Sequence, residues 1–503
     1  MSGSGHSKLK LGLVSLGCPK NLVDGEVMLG LAREAGHDIT ADTGAAEVIV
    51  VNTCAFIDAA KEESIDAILE MAELKKSGRC RQLIVTGCLA ERYRDQLRAE
   101  IPEIDVVLGT GEVPDIVGAL TGAPATAGRA APVRLYTSAA ALHTATVANV
   151  VPEPPARSVP TYLYDASTPR MRSTPRHYAY VKVAEGCDYT CAFCIIPTLR
   201  GAYRSRTEDS VVREAEMLAA AGVRELLLIS QDTTFFGIDR GERDALPRLL
   251  RRLNQVPGLA WIRLLYLYPT TITDAVLEAM AECDKVCRYI DLPLQHASPA
   301  VLGRMRRPGT RATYDTLLAR IRARVPGVAL RTTFIVGFPG ETEADVDDLA
   351  AFVEDNRFDH LGVFTYSHEE GTRARALTDD VPARTKTARR QRIMRLQQRL
   401  VARRQQARIG TRVEVLVDGP SPDAPLVMTG RLASQAPDID SMVVLTDCDP
   451  SSLTPGDLVT ARITGARGYD LIAAPHVGSL EPCAFERSHV GIREPSNLGT
   501  FEP

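Results

Sequence analysis

The stretch VAEGCDYTCAFCIIPTLRG, residues 183 to 201, decides how this chain is read. It ends the strand-like run YAYVKVAEG and carries Cys187, Cys191 and Cys194 in the spacing CxxxCxxC, with no fourth ligand nearby. A metal site that only braces a fold has four protein ligands. Soft thiolates suit zinc, copper(I) or iron–sulfur clusters, and a cubane cluster normally takes four cysteines. Three thiols therefore leave one corner open to a substrate or cofactor.

Downstream, the pattern repeats as apolar strand followed by helix. YAYVKVAEG, RELLLISQD, WIRLLYLYP, RYIDLPLQH, LRTTFIVGF and HLGVFTYS are strand candidates. Repeated βα units favour a barrel. Six strands are too few for a full eight-stranded one, so residues 174–405 are expected to form an open (β/α)6 partial barrel. Residues 385 to 408 add a basic helix, read as a solvated face in preference to a contact with ribosomal RNA.

Upstream, residues 8–122 alternate continuous apolar strands with helices, which argues for a parallel α/β sheet. Cys18 ends SLGC, Cys54 ends VNTC and Cys88 ends VTGC. Strand ends of this kind lie on the carboxyl edge of a parallel sheet, where ligands bind. Three thiols distant in sequence should therefore converge, giving a second incomplete set. Residues 123–173, rich in Ala and Pro, read as a linker. Residues 406–476 hold short strands between turn residues, a small all-β barrel, and 477–503 read as a tail.

The bulk numbers bound the rest. At 503 residues the chain needs several domains. A net charge of −4 and pI of about 6.2 do not suggest a chain dominated by nucleic-acid contacts. No run of about 20 apolar residues predicts a membrane span, and the N-terminus lacks the apolar core of a signal peptide, so the expected location is the cytoplasm. Eleven cysteines in a reducing compartment are metal ligands or buried thiols rather than disulfides. Cys283 and Cys287 have no third thiol and read as incidental; Cys80, Cys448 and Cys483 read as structural or exposed.

With Phe193 just before its last cysteine, CxxxCxxC in a βα-repeat setting resembles the radical S-adenosylmethionine (radical SAM) enzymes. The resemblance implies a 4Fe–4S cluster on Cys187, Cys191 and Cys194, whose fourth iron chelates S-adenosylmethionine. Reductive cleavage would then yield a 5′-deoxyadenosyl radical, with Phe193 near the adenine. The three-part architecture over residues 8 to 475 is similar to the methylthiotransferase family. It implies a second, auxiliary 4Fe–4S cluster on Cys18, Cys54 and Cys88, a C-terminal TRAM domain, two S-adenosylmethionine per turnover, and a low-potential electron donor such as flavodoxin or ferredoxin.

Two branches of that family are open: one modifies an adenosine of transfer RNA, the other the β-carbon of an aspartate in the twelfth small-subunit ribosomal protein (S-twelve). Residues 411 to 475 hold nine acidic residues against four arginines and no lysine, which repels RNA and attracts a basic partner, such as a ribosomal protein or a small-subunit assembly intermediate. ISQDTTFFG (229–237), LYLYP (265–269), LPLQHASPAVLGRMRR (292–307) and FTYSHEEGT (364–372) resemble the ribosomal-protein branch. A zinc-bound RNA-binding assembly factor is the alternative from another class. By the resemblance Gly337 and Gly340, in TTFIVGFPGE, line the cofactor, although a tight turn also explains them. Gln231, Asp232, Gln295 and His296 stand at strand ends facing the site or in ordinary polar loops.

Overall fold

The computed structural model describes residues 8–121, 160–421 and 423–475. Its first part is a five-stranded parallel sheet in the order β2-β1-β3-β4-β5. The strands are β1 (Lys10–Ser15), β2 (Asp38–Thr40), β3 (Val48–Thr53), β4 (Gln82–Gly87) and β5 (Val106–Leu108). Helices α1 (Pro19–Glu34), α2 (Asp58–Ser77), α3 (Cys88–Glu100) and α4 (Ile116–Thr121) connect or follow them. The central strand β3, VIVVNT, is buried at every position, as a parallel strand covered on both faces must be.

The second part holds six parallel strands in two sets of three. The chain reaches them through β6 (Tyr178–Lys182) and a two-stranded ribbon, β7 (Ala184–Glu185) with β8 (Arg204–Ser205), spanned by α5 (Ile196–Arg200). Then come β9 (Glu225–Ile229), β10 (Trp261–Leu264), β11 (Tyr289–Asp291), β12 (Ala329–Val336) and β13 (His360–Thr365). The sets β6-β9-β10 and β11-β12-β13 meet through a single parallel bridge, Ile262 with Val286, so the six expected strands form the open barrel. Helices α6 (Glu208–Ala220), α7 (Ala245–Asn254), α8 (Asp274–Glu282), α9 (Pro299–Arg304), α10 (Arg311–Arg324) and α11 (Glu343–Asn356) accompany them. Side chains alternate across each strand. Val181, Leu228, Ile262, Ile290 and Phe334 pack under the helices. Tyr180, Leu227, Trp261 and Tyr289 turn the other way, into a core shared with the N-terminal sheet.

A long helix, α12 (Ala383–Arg408), leads to a closed barrel in the order β14-β15-β16-β18-β17. Its strands are β14 (Arg412–Ser421), β15 (Ala424–Arg431), β16 (Val443–Leu445), β17 (Leu458–Arg467) and β18 (Asp470–Pro475). The basic helix is not solvated all round. It buries a stripe of Lys386, Arg389, Ile393, Gln397, Val401 and Gln405, with Arg389 paired to Glu341 at 3.0 Å.

The loop between β15 and β16 plugs the amino end of the six-stranded barrel. Arg431 meets Glu225 at 2.6 Å, Arg263 donates to the Ala433 carbonyl at 2.8 Å, and Tyr289 donates to Asp440 at 2.7 Å. This modifies the charge argument drawn from residues 411 to 475. Asp418 is consumed by Arg431 and His177, and Asp440 by Arg331 and His360. Six exposed acidic residues against three exposed arginines remain, a smaller excess of the same sign.

Of the stretch read as a linker, residues 123–159 lie outside the described residues, as do residue 122 and residues 476–503 with Cys483. Residues 160–173 pack rather than merely connect: Arg170 bridges Glu26 of α1 at 2.6 Å and Glu214 of α6 at 2.7 Å. Among the described residues no helix is long and apolar enough to cross a membrane.

Candidate functional site

β1, β3 and β4 are neighbours in one parallel sheet, so their carboxyl ends deliver Cys18, Cys54 and Cys88 to one edge. Cys18 precedes α1, whose first residue Pro19 suits a helix start, and Cys88 opens α3. The thiols are near enough to perturb one another. Burial pushes Cys54 up, with Cys18 adding to it. Burial pushes Cys88 up to about 11, opposed by the Arg200 guanidinium. Gly17 turns at φ +88°, and a Cβ there would lie 3.0 Å from the Cys54 sulfur; only glycine lets β1 end against that thiol.

The other triad occupies the loop between β7 and α5. Burial, with neighbouring thiols adding to it, pushes Cys187 up to about 11 and Cys194 up to about 12. The loop is held by the Cys187 N–H to the Gly201 carbonyl at 3.0 Å and the Ala192 N–H to the Met305 carbonyl at 2.8 Å. Arg307 points Nη1 at the Cys191 sulfur, 3.8 Å away. All six cysteines are free thiols. Among the described residues no three Cys, His, Asp or Glu side chains crowd closely enough to hold one ion. Three soft thiols that perturb one another suit an iron–sulfur cluster, in which each thiolate takes a different iron.

Between the triads lies a buried charged quartet. Arg200 reaches Asp24 at 2.5 Å and Glu185 at 3.3 Å, and also the Cys88 sulfur at 3.6 Å. Lys182 reaches the same two carboxylates at 2.5 Å each. Two cations balance two anions, which makes this burial tolerable. Burial alone would raise Glu185, but Lys182 and then Arg200 hold it well below the usual carboxylate range. Gln231 donates to Glu185 at 2.6 Å.

The LYLYP segment spans the triads. Tyr266, at φ +61°, lies under Lys20, whose Nζ is 3.1 Å from the ring centre and 3.1 Å from the Ser230 carbonyl. Burial lowers Lys20 to about 8. Two residues on, Tyr268 stacks on Tyr189 at 3.8 Å, carries Arg307 at 3.9 Å over its other face, and neighbours Cys191. The loop after β13 straps the N-terminal sheet domain to the barrel: Glu369 takes Lys61 and Arg92, each at 2.9 Å.

The remaining sequence candidates divide. Asp232 is fully buried and both its oxygens are taken, one by Thr234 and the other by Tyr189 at 2.8 Å and Thr271 at 3.1 Å. It positions the Tyr189 ring rather than facing an opening. Among the described residues Gln231 and Gln295 each keep a buried, unpartnered Oε1, and Gln295 sits at φ +73°, a strained geometry typical of functional sites. Gly337 and Gly340 both have positive φ; their N–H groups go to Glu341 and Asp380, so the turn accounts for them. Phe193 packs half-buried beside Val301, Phe338 and Tyr366, and His296 is buried 3.5 Å from Glu341. Cys80, Cys283 and Cys287 are buried thiols in apolar clusters; Cys448 is half-buried.

Sequence reasoning missed Lys20, Asp24, Lys182, Glu185, Arg200 and Arg307. A signal existed for most of them: Glu185 and Arg200 flank CxxxCxxC, and Lys20 and Asp24 follow Cys18 one helical turn apart.

Comparison with known proteins gives the same three-part division. The chain matches Uncharacterized protein family UPF0004 over residues 10–109, the Radical SAM superfamily over 181–353, and the TRAM domain over 409–475. It is 47% identical over 466 residues to "Ribosomal protein uS12 methylthiotransferase RimO" of Solibacter usitatus, covering 92% of this chain and 94% of the relative. The proteins of that name from Koribacter versatilis and Anaeromyxobacter sp. (strain K) are 46% and 48% identical, over 92% and 91% of this chain and 96% and 91% of their own length. Among solved structures, the radical S-adenosylmethionine methyltransferase TsrM from Kitasatospora setae shares the fold. With cobalamin and a [4Fe-4S] cluster bound it matches at TM-score 0.51 and 17% identity, over 72% of each chain.

Proposed function

Since the chain belongs to the RimO family of ribosomal protein uS12 methylthiotransferases, and is thus a radical SAM enzyme, we propose that it places a methylthio group on the β-carbon of an aspartate of that ribosomal protein. Cys187, Cys191 and Cys194 would hold one 4Fe–4S cluster, and Cys18, Cys54 and Cys88 a second. When bound, these clusters and S-adenosylmethionine supply low-potential electrons, a carbon radical able to take an unactivated hydrogen, and a port for the transferred sulfur. Acid–base groups alone do not reach such a C–H bond.

The observation that carries this reading is that one three-residue segment, Tyr266 to Tyr268, meets Lys20, two residues on from Cys18, at one end and Arg307, 3.8 Å from the Cys191 sulfur, at the other. A substrate side chain held beside it would reach both sites without leaving the enzyme. The protein's own share is positioning and exclusion of water. The Tyr189–Tyr268 stack walls one side. The quartet of Asp24, Lys182, Glu185 and Arg200 locks the sheet domain onto the barrel, and the Glu369 strap closes the far rim. The remaining acidic excess of the C-terminal barrel supports a basic protein partner over RNA.

Mass spectrometry of the ribosomal protein and of transfer RNA from a deletion strain tests the substrate. The expected result is loss of methylthio-aspartate with transfer RNA unchanged; persistence of methylthio-aspartate overturns it.

A further inference from the structure

Arg307 is a buried cation that no carboxylate among the described residues answers. The other buried arginines among the described residues each meet one: Arg200 with Asp24, Arg206 with Glu214, Arg263 and Arg431 with Glu225, and Arg389 with Glu341. Arg307 has no such pair. Its Nη2 donates to the Pro293 carbonyl, its guanidinium lies 3.9 Å over the Tyr268 ring, and its Nε is buried without a partner. Its Nη1 is 3.8 Å from the Cys191 sulfur.

An unpaired buried charge costs several kcal/mol, and proteins keep one where the counter-charge comes with a ligand. The backbone is bent to present this one: Arg306 takes φ +52°, and the Arg307 N–H returns to the Leu302 carbonyl at 2.9 Å, ending α9 and turning the next side chain inward. The nearest source of anionic charge is Cys191, which becomes a thiolate when it ligates.

We propose that Arg307 is the counter-charge of the Cys187, Cys191 and Cys194 site. It donates to the Cys191 thiolate and, uncancelled by any carboxylate, favours the more negative, one-electron-reduced form of the group held there. It is a positioning residue acting through Cys191. This rests on the reading of that triad as an iron–sulfur site. The carboxylate of S-adenosylmethionine is the other anion it could serve; the 3.8 Å approach to sulfur favours the thiolate.

The test uses the full-length chain carrying Cys18→Ala, Cys54→Ala and Cys88→Ala, so that only this site gives a signal. Arg307→Met, Arg307→Gln and Arg307→Lys are compared in that background by potentiometric titration followed by electron paramagnetic resonance. Met and Gln are expected to move the midpoint negative by about 59 mV, a tenfold bias in a one-electron couple, and to release iron to a chelator about tenfold faster. Lys, which keeps the charge, should restore most of the midpoint. A wild-type midpoint in whichever of the Met and Gln variants holds iron overturns the proposal. So does an unchanged midpoint with weakened S-adenosylmethionine binding, which would assign Arg307 to the cofactor carboxylate. Absence of any iron–sulfur signal in the parent with Arg307 intact instead defeats the reading on which it rests.

Discussion

The two cysteine triads are built in opposite ways. Cys187, Cys191 and Cys194 lie in one eight-residue loop, so their proximity is local and survives small shifts of the barrel. Cys18, Cys54 and Cys88 are spread over 71 residues and meet only because β1, β3 and β4 are adjacent. Their electrostatic settings differ as well: the dispersed triad borders a balanced quartet, the local one a lone guanidinium. A local loop can be formed by short-range sequence, whereas a dispersed site depends on tertiary packing, and the quartet is the tertiary packing that joins the two.

Replacement of single ligands should break the comparison most sharply. Cys194→Ala is expected to reduce S-adenosylmethionine cleavage to background, whereas Cys54→Ala retains cleavage and loses methylthio transfer, both read by chromatography of 5′-deoxyadenosine and mass spectrometry of the substrate. Equal loss of cleavage in the two variants would contradict the separate roles.

Breaking the quartet comes next. Asp24→Ala leaves Lys182 and Arg200 short of a partner and is expected to cost about 3–5 kcal/mol in denaturant unfolding. The same quartet has a pH signature. Glu185 is held below its ordinary value of 4.5, so its contribution is present above that pH and lost as pH falls further. The stability gap between wild type and Glu185→Gln should be constant from pH 7 to 5 and shrink in stronger acid; a gap that widens there would refute the assignment.

Weakening the strap is a smaller perturbation. Glu369→Gln removes the charge shared by Lys61 and Arg92 and is expected to cost about 1–3 kcal/mol, with a raised KM for the protein substrate and little change in uncoupled cofactor cleavage. Smallest of all, Cys283→Ala and Cys287→Ala should leave iron content unaltered, because those thiols fill apolar core; loss of iron in either would mean a ligand had been missed.

The contrast also explains what could be read from sequence. Strand ends announce themselves by apolar runs, so both triads and the six-stranded barrel were legible. The partners of Arg200 and Arg307 were not, because they lie 112 and 116 residues from the thiols they approach, and no periodicity encodes such a pairing. The plug between β15 and β16 was invisible for the same reason. Its carboxylate Asp440, like Asp418 of β14, counted toward the surface charge in the sequence, yet the two are spent on Arg331 and His360 and on Arg431.

The central claim is that each triad carries its own cluster. Iron and acid-labile sulfide, measured on anaerobically reconstituted wild type and on the two triple Cys→Ala variants, test it most directly. The account predicts that each triple variant holds half the iron and sulfide of the wild type. A triple variant that keeps the full wild-type content would contradict it.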